Sequence, residues 1–172
     1  MGSYDYGKAE VCAWIRAHFL PGSSVLDVGA GNGKWRQLLP EYENMDAVEI
    51  FTPTAMALKA LPYRHVFNDD IRFFDYWAYD LIIFGDVIEH LSPQDAQAVL
   101  AYAAERCRDM VVAVPWLYAQ GPVGGNVHET HLQPDLTPEI FAERFPMLEV
   151  LHDPGHGYCY YHKKEALTDG SD

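Results

Sequence analysis

Two rhythms of apolar and polar residues alternate along this chain. Residues 8–19 (KAEVCAWIRAHF) place apolar side chains at helical spacing, and Pro21-Gly22 ends the run. SSVLDVG (23–29) is a short, almost unbroken apolar run of the kind that makes a buried strand. A glycine turn follows, then a short helical segment, GKWRQLL (33–39). NMDAVEI (44–50) is a second strand, after which Thr52 and Pro53 supply an N-cap and a first-turn proline for another helix.

The same alternation continues to the C-terminal end. Strands are expected at RHVFN (64–68), YDLIIFG (79–85) and DMVVAVP (109–115), the middle one apolar enough to be central. SPQD (92–95) resembles a capping box and opens a helix running to about Cys107. Residues 116–136 read as a long irregular loop, a length that in compact domains usually signals function. TPEIFAERF (137–145) is a capped helix, and LEVLHD (148–153) with GYCYYHK (157–163) reads as a closing hairpin. Alternating β and α units predict a doubly wound, mostly parallel seven-stranded sheet with helices on both faces and a C-terminal antiparallel hairpin. All 172 residues are expected in one domain, with flexible ends at 1–7 and 165–172.

Charge narrows the partners. Twelve basic residues face 25 acidic ones, a net of −13, and the only adjacent basic pair is Lys163-Lys164. Neutralising a phosphate backbone takes clustered Lys and Arg, so a nucleic-acid partner is disfavoured and a small molecule is expected. No apolar run reaches the roughly 20 residues that cross a bilayer, and the first residues lack a secretion-signal layout. Cys12, Cys107 and Cys159 are widely spaced and odd in number, as fits thiols in a reducing cytoplasm. Whether the chain is a monomer or a homodimer is not encoded in any pattern visible here.

The densest signal is VLDVGAGNGKW (25–35), a strand running through Gly29, Ala30, Gly31, Asn32 and Gly33 into a helix. Glycines let a ligand approach the backbone closely, and ligands of open α/β sheets bind at the carboxyl ends of strands. A dinucleotide fingerprint needs its third glycine one residue later, where Lys34 stands. Asp27 just before the turn would repel a pyrophosphate but suit a cationic ligand. Glu49, sixteen residues after Gly33, closes the second strand, where a carboxylate can accept bonds from both ribose hydroxyls.

These motifs, in this order, resemble the class I S-adenosylmethionine-dependent methyltransferases over about residues 23–115. VLDVGAGNG resembles the family's first motif, AVEIF (47–51) its second, NDDI (68–71) its third, and YDLIIFGDVIEHL (79–91) the fourth strand and its turn. The resemblance implies S-adenosylmethionine as cofactor and S-adenosylhomocysteine as product. It places Asp27 near the methionine amino group, lets Gly29, Ala30, Gly31 and Gly33 wrap the cofactor, and gives Glu49 the ribose, with Ile50 beside it among the cofactor-binding residues. Asp70, preferred to Asp69, would read the adenine amino group while Ile71 packs on the base. Trp35, Gly85 and Asp86 complete the expected cofactor wall.

HETH (128–131) sits in the loop QGPVGGNVHETHLQPD (120–135). Zinc proteases need H-E-x-x-H on one helical face; here the spacing is one residue short and Pro134 follows. His90, His128 and His131 are instead expected on the acceptor rim, where an imidazole near neutral pKa can deprotonate a hydroxyl. Asp86, Glu89 and His90 would share one face if their turn is helical. With His131 they form a minority metal set resembling that of small-RNA 3′-end 2′-O-methyltransferases; no metal is the favoured expectation. Trp116, Tyr118 and Trp35 are candidate aromatic walls, and Tyr4 and Tyr6 a candidate lid. His152, His156 and His162 have no evident functional partner.

The sequence thus predicts a cytoplasmic enzyme moving a methyl group from S-adenosylmethionine to a small molecule, with oxygen as acceptor atom. The alternatives are a metal-assisted nucleotide or RNA 2′-O-methyltransferase and, from a different class, an NAD-type oxidoreductase or a non-catalytic cofactor-binding module.

Overall fold

The computed structural model describes residues 5–164. Tyr4 and the expected tail 165–172 lie outside the described residues, as do 1–4 of the expected N-terminal end. Five α-helices and seven strands follow in order: α1 (Lys8–His18), β1 (Val25–Val28), α2 (Lys34–Leu38), β2 (Met45–Val48), α3 (Thr52–Leu58), β3 (Val66–Phe67), β4 (Tyr79–Gly85), α4 (Pro93–Ala104), β5 (Cys107–Pro115), α5 (Pro138–Arg144), β6 (Leu148–Gly155) and β7 (Tyr158–Lys163). Short 3-10 turns occupy Ile88–His90 and Val127–Glu129.

The strands form one sheet in the order β3-β2-β1-β4-β5-β7-β6. All neighbours from β3 to β5 pair in parallel, and β7 runs antiparallel to both β5 and β6. The central strands are buried on both faces, which is why they read as unbroken apolar runs. Successive side chains serve opposite layers: Leu26, Ile82, Phe84, Met110 and Val112 pack with α4 and α5 residues. Val25, Leu81, Ile83, Val111 and Ala113 pack with Val11 and Ile15 of α1 and Trp35 of α2. Helices therefore cover both faces, as the alternation predicted.

Ends of elements differ from expectation for identifiable reasons. Thr52 is the first residue of α3 and not its cap; its hydroxyl bonds Asn68 at 2.8 Å. Ser92 does cap α4, accepting from the Asp95 amide at 3.1 Å. That helix stops at Ala104 and not at Cys107, and Lys163 Nζ donates to the carbonyls of Ala104 and Cys107 just beyond its end. β3 is a short edge strand, narrower than 64–68.

Register sets the functional edge. Val28 pairs with Val48 on one side and Phe84 on the other, and Phe84 pairs with Val112. The residues that follow, Gly29, Glu49 and Gly85-Asp86, consequently emerge together. β1 lies at the point where the chain reverses direction across the sheet, the place where open α/β sheets leave a crevice. No helix of the described residues is long and apolar enough to cross a membrane.

Candidate active site

A cavity of about 930 Å³ opens at this edge, within the range of small-molecule sites. Gly29, Ala30, Gly31, Trp35, Glu49, Ile50, Asp70, Ile71, Gly85 and Asp86 all line it, as do His90, His128 and His131. Residues separated by a hundred positions thus share one wall.

The glycine turn works through backbone geometry. Gly29 has φ +61°, and a Cβ there would lie 2.5 Å from Val87 Cγ2. Gly31 has φ +53° and faces open space apart from the Gly29 carbonyl, so its backbone is accessible to a ligand. The Glu49 carboxylate bridges this turn to the next strand, accepting from the Gly31 amide at 3.1 Å and the Phe51 amide at 2.8 Å. Burial raises the Glu49 pKa, partly offset by those two amides. Each carboxylate oxygen keeps acceptor capacity for a ligand hydroxyl.

Two expected cofactor residues lie elsewhere. Gly33 does not line the cavity; its φ of +73° starts α2, and a Cβ would meet Leu61 Cδ1 at 2.2 Å. Its glycine is required by packing. Asp27 is 1% exposed beneath the turn, accepting from the Tyr63 hydroxyl at 2.6 Å. Its other oxygen has no partner among the described residues, and burial pushes the acid up to about 7. Asp70 does line the cavity while Asp69 does not, but Arg72 already holds its carboxylate at 2.5 Å, an ion pair that lowers its pKa.

Gly85 and Asp86 form the floor. A Cβ on Gly85 would fall 2.4 Å from the Trp35 Nε1, so the indole seats directly on this glycine and serves both core and cavity. Asp86 sits at φ +57°, a left-handed conformation that Asp tolerates better than most residues. Its Oδ1 accepts from the Tyr158 hydroxyl at 2.6 Å. This backbone kink separates Asp86 from the following 3-10 turn, so Asp86, Glu89 and His90 do not share a helical face. The residues whose ligating atoms come within 4.8 Å of one another are Glu89, His90 and His131, without Asp86.

The long loop is tied down by its backbone. Leu117 N donates to the Leu136 carbonyl at 2.9 Å, closing the base. Leu132 and Gln133 amides both donate to the Glu89 carbonyl, and Gln133 Nε2 reaches the Ile88 carbonyl at 2.8 Å. HETH is thereby split. His131, 9% exposed, gives its Nδ1–H to the Tyr118 carbonyl at 2.7 Å and stacks edge to face on His90. His128 is exposed, caps nothing with its ring, and acts electrostatically on Glu49 and Asp70. All three histidines line the same cavity, and His128 is the one whose charge reaches Glu49 and Asp70.

His90 offers Nδ1 to the Thr130 carbonyl at 3.3 Å; burial, then His131, lower its pKa. Glu89 is 1% exposed, and burial followed by the Asp86 charge raises it well above the usual carboxylate range. Tyr118 lines the cavity, whereas Trp116 packs between Phe141 and Tyr161 in the core. Tyr6 stacks on His156, and its carbonyl accepts from the Tyr160 hydroxyl at 2.6 Å. His152 lies against Tyr160, and His162 beside Asp109.

Asn126 and Gln120 also line the cavity without a sequence signal of their own. Lys8 is another surprise, 3% exposed with its ammonium over the Trp35 ring, 4.9 Å from the centroid. A lysine in a first helical turn ordinarily reads as solvated. Carboxylates dominate the wall: Glu49, Asp70, Asp86, Glu89, Asp95 and Glu129 against Lys34 and Arg72. Both cations are themselves paired, Arg72 with Asp70 and Lys34 with Asp5. Such a cavity favours a cationic ligand over a phosphate.

This topology and edge are those of the class I, Rossmann-like fold of S-adenosylmethionine-dependent methyltransferases. An S-adenosylmethionine-dependent methyltransferase of Clostridium acetobutylicum is similar at TM-score 0.70 and 13% identity, covering 94% of this chain and 92% of that one. The 1,6-didemethyltoxoflavin-N1-methyltransferase of Burkholderia thailandensis, with its acceptor and S-adenosylhomocysteine bound, is similar at TM-score 0.63 and 17% identity, over 91% of this chain and 77% of that one. The mitomycin 7-O-methyltransferase structure is similar at TM-score 0.62 and 14% identity, covering 90% of this chain, which spans only 53% of its length. No family model and no curated protein matches the sequence.

Proposed function

We propose that this protein binds S-adenosylmethionine and transfers its methyl group to a hydroxyl of a small molecule. One observation carries the reading: a carboxylate-rich cavity with Glu49 at the glycine turn also contains two imidazoles whose Nδ1 atoms are committed to carbonyls. The residues fit the cofactor. Gly31 leaves space for its backbone, Glu49 can accept from ribose hydroxyls, Ile71 offers an apolar wall to a base, and the surrounding acids attract a sulfonium. The same acids and the early third glycine disfavour a dinucleotide pyrophosphate.

The cofactor supplies an activated methyl group, whose C–S bonding pair stays with sulfur while an acceptor lone pair forms the new bond. The protein's tasks are then alignment, exclusion of water and removal of one proton. His90 and His131 each have Nε2 as the lone-pair nitrogen, because Nδ1–H faces a carbonyl. Either can accept the hydroxyl proton. His128 we assign to the nucleoside end, beside Glu49 and Asp70. The loop 116–136 forms the acceptor side.

Small-molecule neighbours of both O- and N-methylating kinds support the substrate class, as does the net charge of −13. A panel of hydroxyl- and amine-bearing small molecules incubated with methyl-labelled cofactor, followed by mass spectrometry, tests the proposal. Label in an O-methyl ether is the expected result. Label only on nitrogen, or none on any acceptor, contradicts it.

A further inference from the structure

Glu89 poses a problem that the hydroxyl-transfer reading does not solve. Neither of its carboxylate oxygens has a hydrogen-bond partner among the described residues, although the side chain is 1% exposed. Buried polar groups are nearly always satisfied, and a wholly unsatisfied carboxylate is costly. Its Oε1 lies 4.0 Å from His90 Nε2. One oxygen of Glu89 and one ring nitrogen each of His90 and His131 all fall within 4.8 Å of one another. The three residues line the cavity.

The imidazoles are prepared in a specific manner. Metal-bound histidines donate their second ring N–H to a carbonyl or carboxylate, which fixes ring and tautomer. Here His131 does so to Tyr118 at 2.7 Å and His90 to Thr130 at 3.3 Å. The backbone carbonyl of Glu89 is in turn held by the amides of Leu132 and Gln133, so the segments bearing all three side chains are joined.

We propose that Glu89, His90 and His131 form a binding site for a divalent first-row transition cation at the acceptor end of the cavity. Two imidazoles and one carboxylate suit Mn²⁺, Co²⁺ or Zn²⁺ better than Mg²⁺ or Ca²⁺, which prefer oxygen. Asp86 is outside the set. Three protein ligands leave coordination positions open toward the cavity, suited to an oxygen of the acceptor. With the ion bound, the Nε2 lone pairs of His90 and His131 hold it, and a coordinated acceptor hydroxyl is acidified and loses its proton to solvent instead of to an imidazole. The role in acceptor binding rests on the hydroxyl-methylation reading; the ion site itself does not.

The test uses chelator-treated full-length protein titrated with Co²⁺, followed by visible d–d absorption and by calorimetry, with S-adenosylhomocysteine binding measured on the same samples. Stoichiometric uptake with ligand-field bands is expected. Glu89→Gln and His131→Asn should each weaken uptake at least ~10-fold, while His128→Asn leaves it unchanged. Unfolding temperature and S-adenosylhomocysteine affinity report whether a variant is folded, and His90→Asn replaces any that is not. No bands at millimolar Co²⁺, or equal uptake by all variants, overturns the ion site. Ion uptake without S-adenosylhomocysteine binding would uphold the site and sink the cofactor assignment instead.

Discussion

The rings of His90 and His131 meet edge to face with centroids 4.7 Å apart, although 40 residues separate His90 from the loop carbonyl it bonds. This contact joins the turn after β4 to the loop after β5 and makes one acceptor wall from two segments. His131→Ala should therefore lower turnover by ~10²-fold or more, the scale of losing a group that removes or acidifies the acceptor proton, with S-adenosylhomocysteine affinity nearly unchanged. Steady-state kinetics and calorimetry on one preparation decide it; an equal loss in both would move His131 to the cofactor end.

Glu49 makes the opposite prediction. Its carboxylate holds the Gly31 and Phe51 amides and faces the cavity. Glu49→Ala removes charge-assisted bonds worth about 1.5–3 kcal/mol each, so S-adenosylhomocysteine affinity should fall at least ~10-fold. Full affinity in this variant would contradict the ribose assignment.

The two glycines of the turn separate binding from folding. Gly33→Ala places a methyl 2.2 Å from Leu61 Cδ1 at φ +73°, an overlap that adds to a left-handed strain of roughly 1–2 kcal/mol, so that strain is the lower bound of the loss. Denaturant unfolding should show that loss with cofactor affinity nearly unchanged, since Gly33 does not line the cavity. Gly31→Ala carries a similar strain but projects from the cavity wall, and it should weaken binding as well.

Asp27 predicts a pH dependence of stability. Burial raises it from 3.8 to about 7, so the folded chain keeps a proton that the unfolded chain releases near 4. Stability is full below the unfolded value and declines as pH rises toward 7, each unit being worth about 1.4 kcal/mol. Asp27→Asn should flatten that slope in urea midpoints between pH 4 and 7, an interval set by those two values. A slope unchanged in the variant would assign it to Glu49 or Glu89.

Strands were legible because β1, β4 and β5 are buried on both faces and carry apolar runs that report it directly. The glycine turn, Glu49 and Gly85 were legible because each directly follows a strand whose register brings it to one edge. What stayed hidden depends on backbone contacts. The Glu89 carbonyl accepts from Leu132 and Gln133, a tie that leaves no side-chain signature and yet brings His131 beside His90. Likewise Asp86 looks like the start of a helical face, but its φ of +57° breaks that face. Trp116 and Lys8 mislead by type, the first packing in the core and the second lying buried on aromatic rings.

Calorimetric titration with S-adenosylhomocysteine, run beside NAD, tests the central claim most directly. One-to-one binding of S-adenosylhomocysteine with no heat from NAD is the predicted result. Binding of NAD with none of S-adenosylhomocysteine would contradict the assignment of this cavity to a sulfonium cofactor.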